Sequence, residues 1–165
     1  MRENFQAALA FVLEWESEYS NDPHDVGGET RWGISKKAHP DIDIKRLTRE
    51  AASVIYHTDY WLPVRGDDLP SGIDLAVFDF AVNAGVRKSI LTLQRVLGLT
   101  ADGSIGSITL GTLAGADPAA TLAEFTVKRI LHYASLGTWN RYGKGWTRRT
   151  IACDRAASDL LVVPI

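Results

Sequence analysis

Residues 73–84, IDLAVFDFAVNA, are apolar almost all the way round a helical projection, and no other segment constrains the fold as strongly. A surface helix needs one apolar stripe, whereas a helix apolar on every side must be covered on every side. The segment's length and its lack of strict alternation favour helix over strand. The rest of the chain must therefore wrap a central helix. The 165 residues, 45% hydrophobic and 23% charged, supply enough material for this. A globular chain of this size buries roughly 70% of its unfolded surface, and the composition excludes a disordered or fibrous chain. The single cysteine, Cys153, excludes an internal disulfide. Between Ala152 and Ala156 it reads as a packed helix residue.

Helical periodicity recurs through most of the chain. Residues 4–19 place Phe5, Ala8, Leu9, Val12, Trp15 and Tyr19 on one stripe, and Asn21-Asp22-Pro23 should end that helix. Residues 22–35 read as a Gly-rich loop or short hairpin turning at Gly27-Gly28. Residues 36–62 read as mostly helical with a break at Pro40, and Thr48 is placed to cap a helix over 49–60. The turn-rich stretch 63–72 is the best candidate boundary. It divides a segment 1–70 from a segment 71–165 that is expected to pack with it as one unit. Further helices are expected at 87–97, 107–114, 117–136, where Asp117-Pro118 makes a cap, and 146–161. The expected fold class is mainly α.

Glu16 stands out because the spacing puts it on the apolar stripe, beside Val12, Trp15 and Tyr19. A desolvated carboxyl there would hold its proton more tightly, as a general acid requires. The alternatives are that Glu16 marks the solvent edge of the stripe or pairs with an arginine. Asp25 and Thr30 follow in the loop that should fold back over the helix end. Two carboxylates and a water-holding hydroxyl across a cleft suit inverting glycoside hydrolysis, in which one group protonates the leaving oxygen and the other activates water. An Asx turn at Asp25 and a backbone cap at Thr30 account equally well for those two residues.

The run ESEYSNDPHDVGGETRWGI, residues 16–34, closely resembles the opening motif of glycoside hydrolase family 108. The resemblance implies a lysozyme-like fold and N-acetylmuramidase activity on bacterial peptidoglycan, as in phage endolysins and wall-cleaving proteins of export systems. It places the family's acid on Glu16. The family usually reads Glu-Gly-Gly-Tyr where this chain has Glu16-Ser17-Glu18-Tyr19. The order Glu, Asp, Thr is also similar to the triad of phage-type lysozymes, with the Asp-to-Thr gap one residue shorter here. This analogy implies that Asp25 positions or activates water and that Thr30 holds it. In the second half, FDFAVNAG at 78–85, Leu93-Gln94 and DGSIGSIT at 102–109 resemble the predicted peptidoglycan-binding region that follows the catalytic segment in this family. The same pattern also serves as helix-packing grammar.

Sugar rings stack on aromatic faces, so Tyr19, Trp32 and Trp61 are candidate subsites, with a core role as the alternative for Trp61. Asn21, within the motif, and Asn83, at the end of the apolar helix, are further substrate-binding candidates; capping or a buried hydrogen bond is the alternative for Asn83. His24, His39, His57 and His132 lack metal-ligand spacing, so neither metal nor cofactor is expected.

The formal net charge of −2 argues against a nucleic-acid binder but hides an asymmetry. Residues 1–70 carry thirteen acids and eight bases, whereas 71–165 carry seven acids and ten bases. Lys128, Arg129, Arg141, Lys144, Arg148, Arg149 and Arg155 face only Asp154 within 126–155. That stretch is either a solvated face or a surface attracted to a polyanionic wall. No apolar run approaches the roughly 18 residues of a membrane span, and the polar N-terminus does not read as a signal peptide. A monomer made in the cytoplasm is expected, acting on the wall after release through a holin or an export system. Two other functions fit the same residues: a lytic transglycosylase, or a non-catalytic wall-binding or export-accessory protein.

Overall fold

The computed structural model describes residues 2–16, 18–21 and 28–161. Helix α1 (Arg2–Trp15) leads into a small antiparallel sheet of β1 (Tyr19–Ser20), β2 (Thr30–Arg31) and β3 (Ile34–Ser35), in the order β1-β2-β3. A short 3₁₀ turn (Ile44–Arg46) precedes α2 (Arg49–Tyr56), which runs on as a wider π-type turn over His57–Trp61. Then follow α3 (Ile73–Ala84), α4 (Val86–Val96), α5 (Ser107–Ala114), α6 (Pro118–Ala134) and α7 (Trp139–Leu161). The fold is mainly α and lysozyme-like. No helix among the described residues is long and apolar enough to cross a membrane.

Helix α3 is the centre of the molecule, with every residue from Ile73 to Ala81 buried. It packs against α1, α4, α6 and α7. On one side Phe5 of α1 and Trp61 meet Phe78, with the Trp61 and Phe78 ring centroids 5.4 Å apart. On the other, Phe80 meets Phe125 and Tyr133 of α6, each with centroids 5.8 Å away. One aromatic core therefore spans both halves of the sequence. Aromatic pairs in such edge-on arrangements add roughly 0.5–1.5 kcal/mol beyond their buried area.

The local chemistry explains where elements start and stop. Thr48 Oγ1 accepts from the Ala51 N–H at 3.2 Å, and Asp117 Oδ1 accepts from the Ala119 and Ala120 N–H groups, so both expected caps form. Three boundaries differ from the sequence expectation. Helix α1 ends at Trp15 instead of continuing to Tyr19, because Tyr19 and Ser20 pair with Arg31 and Thr30 in the sheet. The stripe is buried through Val12, but Trp15 and Tyr19 are exposed. Residues 36–47 form turns and a 3₁₀ segment instead of a helix. Helix α7 starts seven residues before the expected Trp146, in a stretch where Gly143 and Gly145 weaken the helical signal. Gly143 is required there because the Trp139 ring lies on it, where a Cβ would collide. The turn expected at Gly27-Gly28 is described only at Gly28, which has φ +70°; Gly27 lies outside the described residues.

Candidate active site

The end of α1 is clasped by the β2–β3 hairpin. Trp32 and Gly33, its two central residues, have φ of 51° and 75°. Positive φ at both positions is the geometry of a two-residue type I′ turn. Gly33 is needed for a second reason. A Cβ there would lie 2.9 Å from Glu16 Cγ and would overlap the Tyr56 hydroxyl. That hydroxyl donates to the Trp32 carbonyl at 3.0 Å, and the Trp32 N–H donates to the Glu18 carbonyl at 3.2 Å. The hairpin, the end of α1 and the end of α2 thus meet around the Glu16 side chain.

From the other side Glu16 is held by α7. Arg149 Nη1 donates to Glu16 Oε1 at 2.7 Å. The other edge of the same guanidinium grips Asp79 of α3, with Nε and Nη2 at 2.9 and 2.8 Å from Oδ1. Asp79 Oδ2 in turn forms an ion pair at 2.6 Å with Arg129 Nη1 of α6. Two carboxylates and two guanidinium groups alternate in one chain whose formal charges cancel. Burial opposes the charge on Arg149 and Arg129, but neighbouring Asp79, joined at Arg149 by Glu16, outweighs it and raises both arginine pKa values. Burial raises the pKa of Tyr56, and the negative charge of Glu16 raises it further. Tyr60 is raised by burial first, then by Asp59 and Glu16. Cys153, packed beside this cluster, is buried and its thiol is pushed up, so it has no reactive character.

Exposure separates the two carboxylates. The Asp79 side chain is 0% exposed and Glu16 23%, so only Glu16 can meet a substrate. Its bond to Arg149 uses one oxygen. Glu16 Oε2 is left available for proton exchange with a bound group, which is what the arrangement can contribute chemically.

The sequence matches the family model described as Glycosyl hydrolase 108 over residues 9–85. The solved structure of Brucella abortus SagA aligns with a TM-score of 0.90 and 32% identity, over 99% of this chain and 98% of that one. The chain belongs to glycosyl hydrolase family 108. Membership makes it a glycoside hydrolase of a peptidoglycan-hydrolysing family. Among curated proteins none matches this sequence.

In this family 108 chain the structure treats the sequence candidates differently. Glu16 sits just beyond α1, paired with Arg149 as one alternative reading allowed, and not on the buried stripe. Thr30 lies half-buried on the middle strand, and its hydroxyl donates to the Gly28 carbonyl at 3.3 Å. Asp25 lies outside the described residues. Tyr19 is exposed and donates to Glu29 Oε1 at 2.8 Å, and Asn21 is exposed beside it. Trp32 is half-buried at the hairpin turn. Trp61 is not a subsite: at 1% exposure, within the Phe5–Phe78 cluster, it is core. Asn83 is half-buried and its Oδ1 accepts from the Tyr133 hydroxyl at 2.5 Å.

Sequence reading missed Asp79, Arg129, Tyr56 and Gly33 as parts of the site and read Arg149 only as one of a basic stretch. The signal for Asp79 was present, since a carboxylate in an otherwise apolar buried helix needs a cationic partner. The basic stretch itself is divided by the fold. Arg129 and Arg149 point inward, and Lys128 pairs with Glu124 at 3.2 Å, which leaves a weaker cationic surface than the count suggested. The second motif is also absorbed internally. Gln94 Nε2 donates to Asp102 Oδ1, the Ser104 carbonyl and Thr109 Oγ1, while its Oε1 accepts from the Gly103 N–H. The Gln94 bond also lowers the Asp102 pKa. Packing of the α4–α5 loop accounts for these residues.

Proposed function

We propose that this family 108 glycoside hydrolase is an N-acetylmuramidase, cleaving the β-1,4 bond between N-acetylmuramic acid and N-acetylglucosamine in bacterial peptidoglycan. The observation that carries the reading is the solvent-accessible Glu16, fixed through one oxygen by Arg149 and clasped by Gly33 and Tyr56. In this mechanism Glu16 protonates the glycosidic oxygen. Asp25 activates or positions the attacking water, and Thr30, on β2, helps to hold it. Tyr19, Asn21 and Trp32 line the approach to Glu16 on the hairpin side. The same reading makes the chain a wall-lytic enzyme of endolysin type, made in the cytoplasm, monomeric, and released through a holin or an export system.

Mass spectrometry of the products from purified peptidoglycan tests the bond and the chemistry together. New reducing N-acetylmuramic acid ends are expected. Anhydro-muramic ends would make the protein a lytic transglycosylase, and reducing N-acetylglucosamine ends would make it a glucosaminidase. Sedimentation with peptidoglycan and no release would leave a binding protein.

A further inference from the structure

The contacts among α3, α6 and α7 are stacked in two layers. The first is the ionic layer of Asp79, Arg129 and Arg149. The second lies one turn further along α3 and α6 and three residues back along α7, at Asn83, Tyr133 and Trp146. Residues three or four apart share a helix face, so the second layer continues the surface from which Arg149 reaches Glu16. Trp146 stacks on Tyr133, with centroids 4.9 Å apart and planes within 18°. Tyr142 lies against the outer side of Trp146, with centroids 5.6 Å apart, and the Arg141 guanidinium lies over the Tyr142 ring. Along α7, Trp146 is about 4.5 Å and Tyr142 about 10 Å from Arg149.

The layers differ in access. The ionic layer is sealed, whereas Asn83 and Trp146 are half-buried and Tyr142 is 45% exposed. Asn83 is also oriented. The Tyr133 hydroxyl donates to Asn83 Oδ1, which fixes that side of the amide as the acceptor. The Asn83 NH₂ therefore turns away from that bond, and among the described residues it meets no acceptor. An indole and a phenol beside an available amide donor combine an apolar face with one directed hydrogen bond.

We propose that Asn83, Trp146 and Tyr142 form a saccharide subsite beside Glu16 that takes one N-acetylated hexosamine ring of the glycan strand. The exposed Tyr142 ring and the open edge of Trp146 meet the C–H face of the sugar, and the Asn83 NH₂ donates to the acetamido carbonyl. The inference rests on the muramidase reading for its choice of ligand but is tested without catalysis. In Glu16→Gln protein, a peptide-free tetrasaccharide of alternating N-acetylglucosamine and N-acetylmuramic acid is titrated by calorimetry. Indole N–H resonances are followed in parallel, with Trp146 assigned through Trp146→Phe. The Trp146 signal should shift. Tyr142→Ala and Asn83→Asp should each weaken binding roughly 2- to 12-fold, corresponding to a single ring contact or hydrogen bond. Asn83→Asp keeps the acceptor for Tyr133 while removing the donor, and Tyr142→Phe should bind like its parent. Unchanged affinity in both weakened variants, an unmoved Trp146 signal, or binding of the free stem peptide alone would overturn the subsite. Failure of the wild type to cut peptidoglycan would contradict the muramidase reading while leaving this binding result to stand on its own.

Discussion

The loop held by Gln94 and the hairpin held by Tyr56 are both built from glycines, hydroxyls and carboxylates. In the Gln94 loop the polar groups close on one another: Asp102 accepts from Gln94 and from the Ser104 N–H, and Gln94 serves Gly103 as well. At the hairpin the same kinds of group leave one open. Glu16 is oriented by Arg149 through a single oxygen and remains partly in solvent. A motif whose polar atoms are used up inside the protein specifies a fold. A motif that holds one polar atom rigidly and leaves it accessible specifies a reaction.

Substitutions can break this contrast. The largest stability effect is expected at Asp79, where Asp79→Ala leaves two buried guanidinium groups without their shared carboxylate. A loss of about 3–5 kcal/mol is expected from urea unfolding, and a loss below about 1 kcal/mol would show that the cluster does not support the fold. Gln94→Ala should cost about 1–3 kcal/mol by leaving loop groups unpaired. Its peptidoglycan hydrolysis per folded molecule should match the wild type, and a selective loss of activity would return the loop to the site. Gly33→Ala should cost a similar or slightly smaller amount, about 1–2 kcal/mol. Unlike Gln94→Ala it should also slow hydrolysis, because the added methyl displaces Glu16 and Tyr56. At the bottom of the scale, Glu124→Ala removes an exposed partner of Lys128 and should change stability by about 0.5 kcal/mol or less.

Much of the fold was legible because local chemistry and burial agreed. Thr48 and Asp117 cap as their side chains dictate, and the apolar run 73–84 is the central helix its pattern requires. The end of α1 was not legible. Tyr19 continues the helical spacing, yet a sheet partner twelve residues later, Arg31, takes it instead. The family was legible in the motif that opens at Glu16, over which the family model matches. The supports of Glu16 were not, because Arg149 lies 133 residues away in sequence and reads as surface charge until α3 and α7 pack. Trp61 shows the reverse error: an aromatic beside a candidate boundary looked available, but the stretch after it folds back and closes over the core.

The central claim is that Glu16, fixed by Arg149, is the acid of this glycoside hydrolase. Its most direct test is the rate at which wild-type and Glu16→Gln proteins release soluble fragments from purified peptidoglycan, with circular dichroism confirming that both are folded. A rate lower by about 10²- to 10⁴-fold is expected in Glu16→Gln, the usual contribution of a general acid. A Glu16→Gln rate close to that of the wild type would contradict it.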